Sequence, residues 1–348
     1  MMSTPKISPK IFSYSSLQAI LPYMDPNLRF SLATRFPSFR SIHRSSPVHA
    51  KFVYFGPYFL TVDKDTYKFY LTNDDDHNYS ERDMTSLLGR LEIQNELLNP
   101  VPQVDRSLHR DHRLPAKYRH NNVSMDLPRE TDIYDQLRKL IRNFFGINHI
   151  SIVRKLQSHV GNGILQIPIG LKLQVQEVVA VCDKDLQIER ILVNNTLQKI
   201  EFCADSASDV TLQNPLIKNC KHWVVHGSHQ QEPWLEFIKT LDGSSVNFKN
   251  AKISHHFLLI LLLSWVENPK MLGTRLSCFT DRPVHLIGRV RDIAGSRITS
   301  ASIGGKVCIV TALQLDDTRE LVVYPYYENG FKMFTMRIES VGSAELLE

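Results

Sequence analysis

The chain lacks any paired arrangement of cysteine. Its five cysteines (Cys182, Cys203, Cys220, Cys278 and Cys308) form no CxxC and are odd in number. A chain of 348 residues builds a core without covalent staples, so the pattern excludes a disulfide scaffold and points to a reducing compartment. Long hydrophobic runs are missing too. The strongest apolar stretch, 257–266, is broken by Ser264 and is about half the roughly 20 residues that a bilayer-spanning helix needs, so it reads as a buried helix. Residues 1–10 carry prolines and lysines without an apolar centre, and no secretory signal is expected there. Nor does one sign of charge dominate: 41 Lys and Arg face 36 Asp and Glu, too even a balance to indicate nucleic acid. The expected setting is cytoplasmic or nuclear, with no membrane segment, and no nucleic acid is expected as a partner.

The motifs of catalysis are absent as well. There is no G-x-S-x-G elbow, Walker A loop, G-x-G-x-x-G or H-E-x-x-H. Gly161-Asn162-Gly163 is a turn without a phosphate-binding context. Cys220, His222, His226 and His229 offer zinc-binding atoms, but the spacing C-x-H-x3-H-x2-H matches no zinc framework. Asp74, Asp75 and Asp76 lack the glycine and the distal glutamate of a calcium loop. Asp183 and Asp185 bracket a helix start, where carboxylates favour the positive end of the macrodipole. These absences predict a non-catalytic protein with no cofactor, no metal and no small-molecule substrate.

What is present begins with helix signals. Leu17, Ile20, Leu21 and Met24 fall at i, i+3, i+4 and i+7, one stripe of a short helix in which Pro22 removes a hydrogen bond and shortens or kinks the rod. Asp25-Pro26 supplies a cap and a first helical position, and Leu28, Leu32 and Phe36 follow on one face until Pro37. Phe39 and Ile42 extend into a third short turn. Three such helices cannot bury all their apolar surface against one another, so part of it docks on the body or on another protein.

The run FSYSSLQAILPYMDPNLRFSLATRFPSFRSI resembles the F-box-like N-terminus of the F-box C family, a large nematode group with an associated domain of unknown function. F-box modules dock on a Skp-type adaptor of cullin-RING ubiquitin ligases. The resemblance therefore implies adaptor binding through Leu17, Ile20, Leu21, Met24, Pro26 and Leu28. It extends to the aromatic tract KFVYFGPYFLTVDKDTYKFYL at 51–71, which suits short strands, and to LLILLLSWVENPKMLGT at 258–274.

Between these, residues 72–122 lose periodicity. An acidic stretch passes into a basic one (Arg106, Arg110, Arg113, Lys117, Arg119), a short helix is expected at 84–98, and the rest of the tract reads as a solvated linker or long loop. A helix follows with Ile133, Leu137, Leu140, Ile141 and Phe144 on one face and Gly146 as its stop. Then two apolar residues recur at i and i+2: Ile150/Ile152, Val178/Ala180, Ile200/Phe202, Trp223/Val225 and Val246/Phe248, spaced by 22 to 28 residues. That is the spacing of leucine-rich repeats, whose strands bury their apolar side only by stacking on neighbours. An ordinary α/β layer with crossover helices fits the same pattern, and both predict a mainly parallel sheet. Helical returns are expected at 185–193 and 233–241. Alternation places Ser151, Val179, Glu201, Val224 and Asn247 on the outward side of the strands. The end of the chain alternates around DDTR and YENG as an antiparallel meander.

The expected fold class is α/β: a short helical F-box-like module at 8–48, a β segment at 49–71, a polar linker at 72–127, and at 128–348 a degenerate leucine-rich-repeat-like strand/helix stack with a C-terminal antiparallel β-meander. The expected function is non-catalytic protein recognition. A Skp-type adaptor would be one partner, and an unknown target protein, bound through Val179, Glu201, Val224 and Asn247, the other. A binding or structural protein with a degenerate F-box and no ligase role is the alternative, which Pro22 favours.

Overall fold

The computed structural model describes residues 14–71, 116–120, 123–126, 133–159, 167–180, 188–193, 196–203, 214–227, 238, 243–280, 282–293, 295–303, 306–328 and 331–345. The chain forms two compact units, Met1–Val153 with His159–Gln174, and Arg154–Ser158 with Val175–Glu348.

In the first unit, prolines set the helix lengths. Pro22 lacks the N–H that helix α1 (Tyr14–Ile20) would need to continue, so α1 stops at Ile20 and one 3-10 turn, Leu21–Tyr23, carries the chain on. Asp25 then accepts from the Asn27 and Leu28 amides and Pro26 opens α2 (Pro26–Arg35), while Pro37 opens α3 (Pro37–Arg44). Strands β1 (His49–Phe55), β2 (Phe59–Val62), β3 (Asp65–Leu71), β4 (Ala116–His120) and β5 (Val123–Asp126) pair antiparallel in chain order. The last two lie within 72–127, the tract read from sequence as a polar linker or long loop, and pair as strands through their backbones. Helix α4 (Ile133–Phe145) buries Leu137, Leu140, Ile141 and Phe144 and ends at Gly146, whose φ of 72° suits glycine.

Helix α2 buries polar side chains beside apolar ones. It buries Asn27 and Arg29 while Leu28 is 53% exposed. Arg29 donates from Nε to His43 Nδ1 at 2.8 Å, from Nη1 to the Pro47 carbonyl at 2.6 Å, and from Nη2 to the His43 carbonyl at 2.7 Å. The fork thus satisfies carbonyls that the end of α3 leaves open. His43 Nε2 in turn reaches the Asn143 carbonyl on α4 at 2.9 Å. Asn27 bridges the Val62 carbonyl and the Tyr67 hydroxyl, and Phe30 stacks on Phe144 with centroids 4.8 Å apart. Residues 8–48 include helices that share one core with α4, β2 and β3.

Strands β6 (Ile150–Ser158) and β7 (Lys172–Ala180) are divided between the units, and each changes burial phase along its length. In β6 the buried residues pass from Ser151 and Val153 to Leu156 and Ser158; in β7 they pass from Leu173 and Val175 to Val178 and Ala180. This overturns one expectation. Ile150 and Ile152 are 41% and 38% exposed, and Ser151 is buried, accepting from the Val48 amide at 3.2 Å. An i, i+2 pattern fixes which residues share a face and leaves open which face is covered.

In the second unit β7 continues into β8 (Lys199–Cys203), β9 (His222–His226), β10 (Ser245–Lys252) and β11 (Arg275–Phe279), all parallel and in chain order. The remaining apolar pairs, from Val178/Ala180 to Val246/Phe248, are buried as the spacing predicts. Helices return between strands: α5 (Pro215–Lys218), whose Ile217 carbonyl accepts from Trp223 Nε1 at 2.8 Å, and α6 (His255–Glu267), capped by Ser254 and burying Phe257, Leu261, Leu262 and Trp265. Of the return expected at 233–241 only Ile238 is described, helical and buried. The short helix expected at 84–98, the acidic run, the Gly-Asn-Gly turn, Asp183 and Asp185 lie outside the described residues.

The parallel run ends where β15 (Phe331–Ser340) pairs antiparallel with β11, followed outward by β14 (Arg319–Glu328), β13 (Lys306–Gln314) and β12 (Ser296–Ile303). Helix α7 (Pro283–Arg291) packs on this meander, with Arg291 Nε on Thr311 Oγ1 at 3.2 Å. On the opposite face the 3-10 turn Ser343–Glu345 closes a second small core of Ala301, Val310, Ala312, Val322, Tyr324 and Ala344. The buried Glu320 ties that turn down, accepting from the Ala344 amide and Arg297. The architecture is mixed α/β, with short N-terminal helices and extensive β-sheet that includes a C-terminal antiparallel meander.

Candidate functional site

Two surfaces carry the residues singled out by sequence, one in each unit. On the first, Leu21 and Pro26 are interior, Leu17 and Met24 half-buried, and Ile20 and Leu28 exposed at 46% and 53%. The stripe read as one face is therefore split, because the α-helix gives way to a 3-10 turn at Leu21 and the side-chain period changes with it. Tyr23, which the sequence reading did not single out, is 85% exposed, and Phe36 is 53% exposed.

On the second surface the backbone register places Val179, Glu201, Val224 and Asn247 in one row, each opposite the next across β7, β8, β9 and β10. Ser277 on β11 continues that row. Val224 belongs to the outward row and is nevertheless only 7% exposed, and Ser277 is 1% exposed, so the row is not open along its length. One row toward the strand starts lie Lys199, His222, Ser245 and Arg275, and one row the other way lie His226 and Lys249.

Glu201 is the electrostatic centre. Burial alone would raise its carboxyl, but the hydrogen bond from His226 Nε2 at 2.8 Å and the charges of Lys199 and Lys249 outweigh that and hold it at about 2. His222 is pushed below its ordinary value by burial and then by Lys221, Lys199 and Arg275, and its Nδ1 lies 2.6 Å from the Ser245 hydroxyl. Among the described residues, Asn247 Oδ1 and His226 Nδ1 are buried without a hydrogen-bond partner.

The zinc-type atoms do not converge. Cys220 turns its thiol to the His222 carbonyl, His222 meets Ser245, and His226 is committed to Glu201, while His229 lies outside the described residues. Among the described residues no group of three His, Cys, Asp or Glu could hold a metal ion, and no helix is long and apolar enough to cross a membrane. An open depression of about 470 Å³ is lined by residues that include Arg40, Ser41, Arg44 and His149. Arg40 donates there to the Ala33 and Thr34 carbonyls and Arg44 to Asn143.

Residues 132–281 match the model of a family described as a domain of unknown function (DUF3557). The matched span runs from α4 to just past β11, and so includes every strand of the parallel run. No curated protein and no solved structure matches the chain. The family description assigns no chemistry to the row at Glu201, so the function of both surfaces rests on their own geometry.

Proposed function

We propose that the protein is a non-catalytic recognition protein, a substrate receptor that links a target protein to a cullin-RING ubiquitin ligase through a Skp-type adaptor. One observation carries the adaptor half: Ile20 on α1 and Leu28 on α2 are exposed, as are Tyr23 and Phe36 beside the ends of α2, while α2 buries Asn27 and Arg29. A helix that buries its arginine and displays its leucine is arranged to give its apolar side to a partner. The F-box-like reading of 8–48 names that partner, with Ile20 and Leu28 as its accessible contacts.

The target half rests on the row of Val179, Glu201, Val224 and Asn247. The run of parallel strands in chain order supports reading this part as a degenerate leucine-rich-repeat-like stack, whose rigid strand face serves as the binding surface. The second reading, a binding protein without a ligase role, is favoured by Pro22, which ends α1 and divides the adaptor stripe. Co-expression of the full chain with a Skp-type adaptor separates the two. A stoichiometric complex on gel filtration supports the receptor reading, and two separate folded peaks favour the alternative.

A further inference from the structure

We propose that the protein pairs with a second copy of itself through strand β12, edge to edge and antiparallel, forming a two-fold dimer. β12 is the last strand of the meander and pairs with β13 on one side; among the described residues no strand pairs with its other side. The pairing with β13 is regular along all 8 residues of β12, from Ser296↔Leu313 to Ile303↔Lys306, without a bulge. An open strand edge presents a row of backbone N–H and C=O groups that another extended chain can satisfy, and folds that keep such an edge solitary shorten it, bulge it or place lysine or proline on it. β12 has none of these devices. Its sequence SRITSASI holds one charge, Arg297, whose guanidinium is bonded to the buried Glu320 carboxylate at 2.6 Å.

The side chains select the partner. On one face of the edge Ser300 and Ser302 are exposed and Ile298 is 61% exposed, and beside them on β13 Ile309 and Val307 are 57% and 82% exposed. Helix α7 leaves this strip open: Thr311, which Arg291 bonds, is buried, while Ile298 opposite it is not. An antiparallel pair centred on Thr299 joins 296–302 of the two copies, roughly 23 Å of strand. In that register Ile298 lies opposite the partner's Ser300, and Ser300 is flanked by Ile309 of its own chain and by the partner's Ile298. The two copies of Ile298 become diagonal neighbours about 7 Å apart. Arg297 meets the partner's Ala301, which keeps the two guanidinium groups roughly 13 Å from each other along the strand. Any extended chain would gain the backbone bonds, but a two-fold axis through the sheet sets like faces together, so the second copy adds its own exposed isoleucines and valine to the same strip. The contact covers on the order of 1,000 Å², the low end for a specific pair, and the expected dissociation constant is on the order of 10 µM.

Sedimentation velocity of the full chain from about 1 to 200 µM tests this, with a reversible monomer–dimer equilibrium as the expected result. Ser300→Lys and Ile298→Lys, both at exposed positions, should each weaken the dimer at least about tenfold with unfolding midpoints unchanged, because they set lysines beside the two-fold axis. Val193→Lys, at an exposed position between β7 and β8, should leave it as in the wild type. Thr299→Cys should form an interchain disulfide on mild oxidation faster than Ser302→Cys, the native cysteines being common to both. A chain that stays monomeric to about 200 µM, undiminished self-association of folded Ser300→Lys, or faster cross-linking at position 302 would overturn the proposal. So would a monomeric wild type that binds the adaptor while Ser300→Lys does not, since the edge would then belong to the adaptor.

Discussion

At Arg29 a cation sits in the interior, 1% exposed, and the partners that hold it are an imidazole and backbone carbonyls. Burial lowers its pKa to about 10, so it stays charged at neutral pH, and the planar fork is what reaches carbonyls on several sides at once. Arg29→Lys keeps the charge and loses the fork, and should destabilise the first unit by about 3 kcal/mol in urea titration; a loss below about 1 kcal/mol would mean that the carbonyls find other donors. His43 beside it is held at about 4, by burial first and then by the Arg29 charge. The unfolded chain takes up a proton near pH 6.5 and the folded one resists until about 4, so the unfolded state binds more protons in that window. Stability is therefore fully present above about 6.5 and falls as pH drops toward 4. Midpoints measured at several pH values should show this slope and show it reduced in His43→Gln; an unchanged slope would place the titration elsewhere. In the second unit Trp223, 4% exposed with its indole N–H on the Ile217 carbonyl, should cost about 3–5 kcal/mol on replacement by Ala.

Elements show which sequence signals were decisive. The α4 stripe, the Asp25-Pro26 cap, the terminal meander and four of the five apolar pairs were legible, because each depends on a local period or a local cap. The first pair was not. In β6 the same i, i+2 spacing continues through a change of covered face, and nothing local to Ile150 and Ile152 reveals which side is covered. Val153→Ala should cost about 1–3 kcal/mol and Ile152→Ala less than about 0.5, measured by thermal unfolding; the reverse order would contradict the phase assigned to β6. Of the two surfaces, the row of Val179, Glu201, Val224 and Asn247 was legible as a row, since parallel strands in chain order keep equivalent positions side by side. The side chains in the rows beside it were not, because Lys199, His222, Lys249 and Arg275 become neighbours only through registers that no single strand encodes. β4 and β5 escaped notice because they are short: Ala116/Tyr118 and Val123/Met125 alternate over only five and four residues, inside a tract rich in charge.

At the scale of the whole molecule, the front helices hold the core of the first unit as well as offering the exposed apolar side chains. Phe30 on Phe144, Asn27 on Tyr67 and His43 on Asn143 link them to α4 and β3, so removing residues 1–48 should abolish cooperative unfolding of that unit while the second unit keeps its own transition. Two calorimetric transitions in the truncated chain would contradict this. The central claim is that the outward side chains of α1 and α2 belong to a partner rather than to the fold, and isothermal titration of a Skp-type adaptor into the wild-type chain and into the Ile20→Asp/Leu28→Asp variant tests it most directly. The account predicts saturable binding to the wild type, affinity at least about 100-fold weaker in the variant, and unfolding midpoints for the two chains that differ by less than about 1 kcal/mol in stability. Equal affinity for both chains, or no heat of binding with folded wild type, would contradict it.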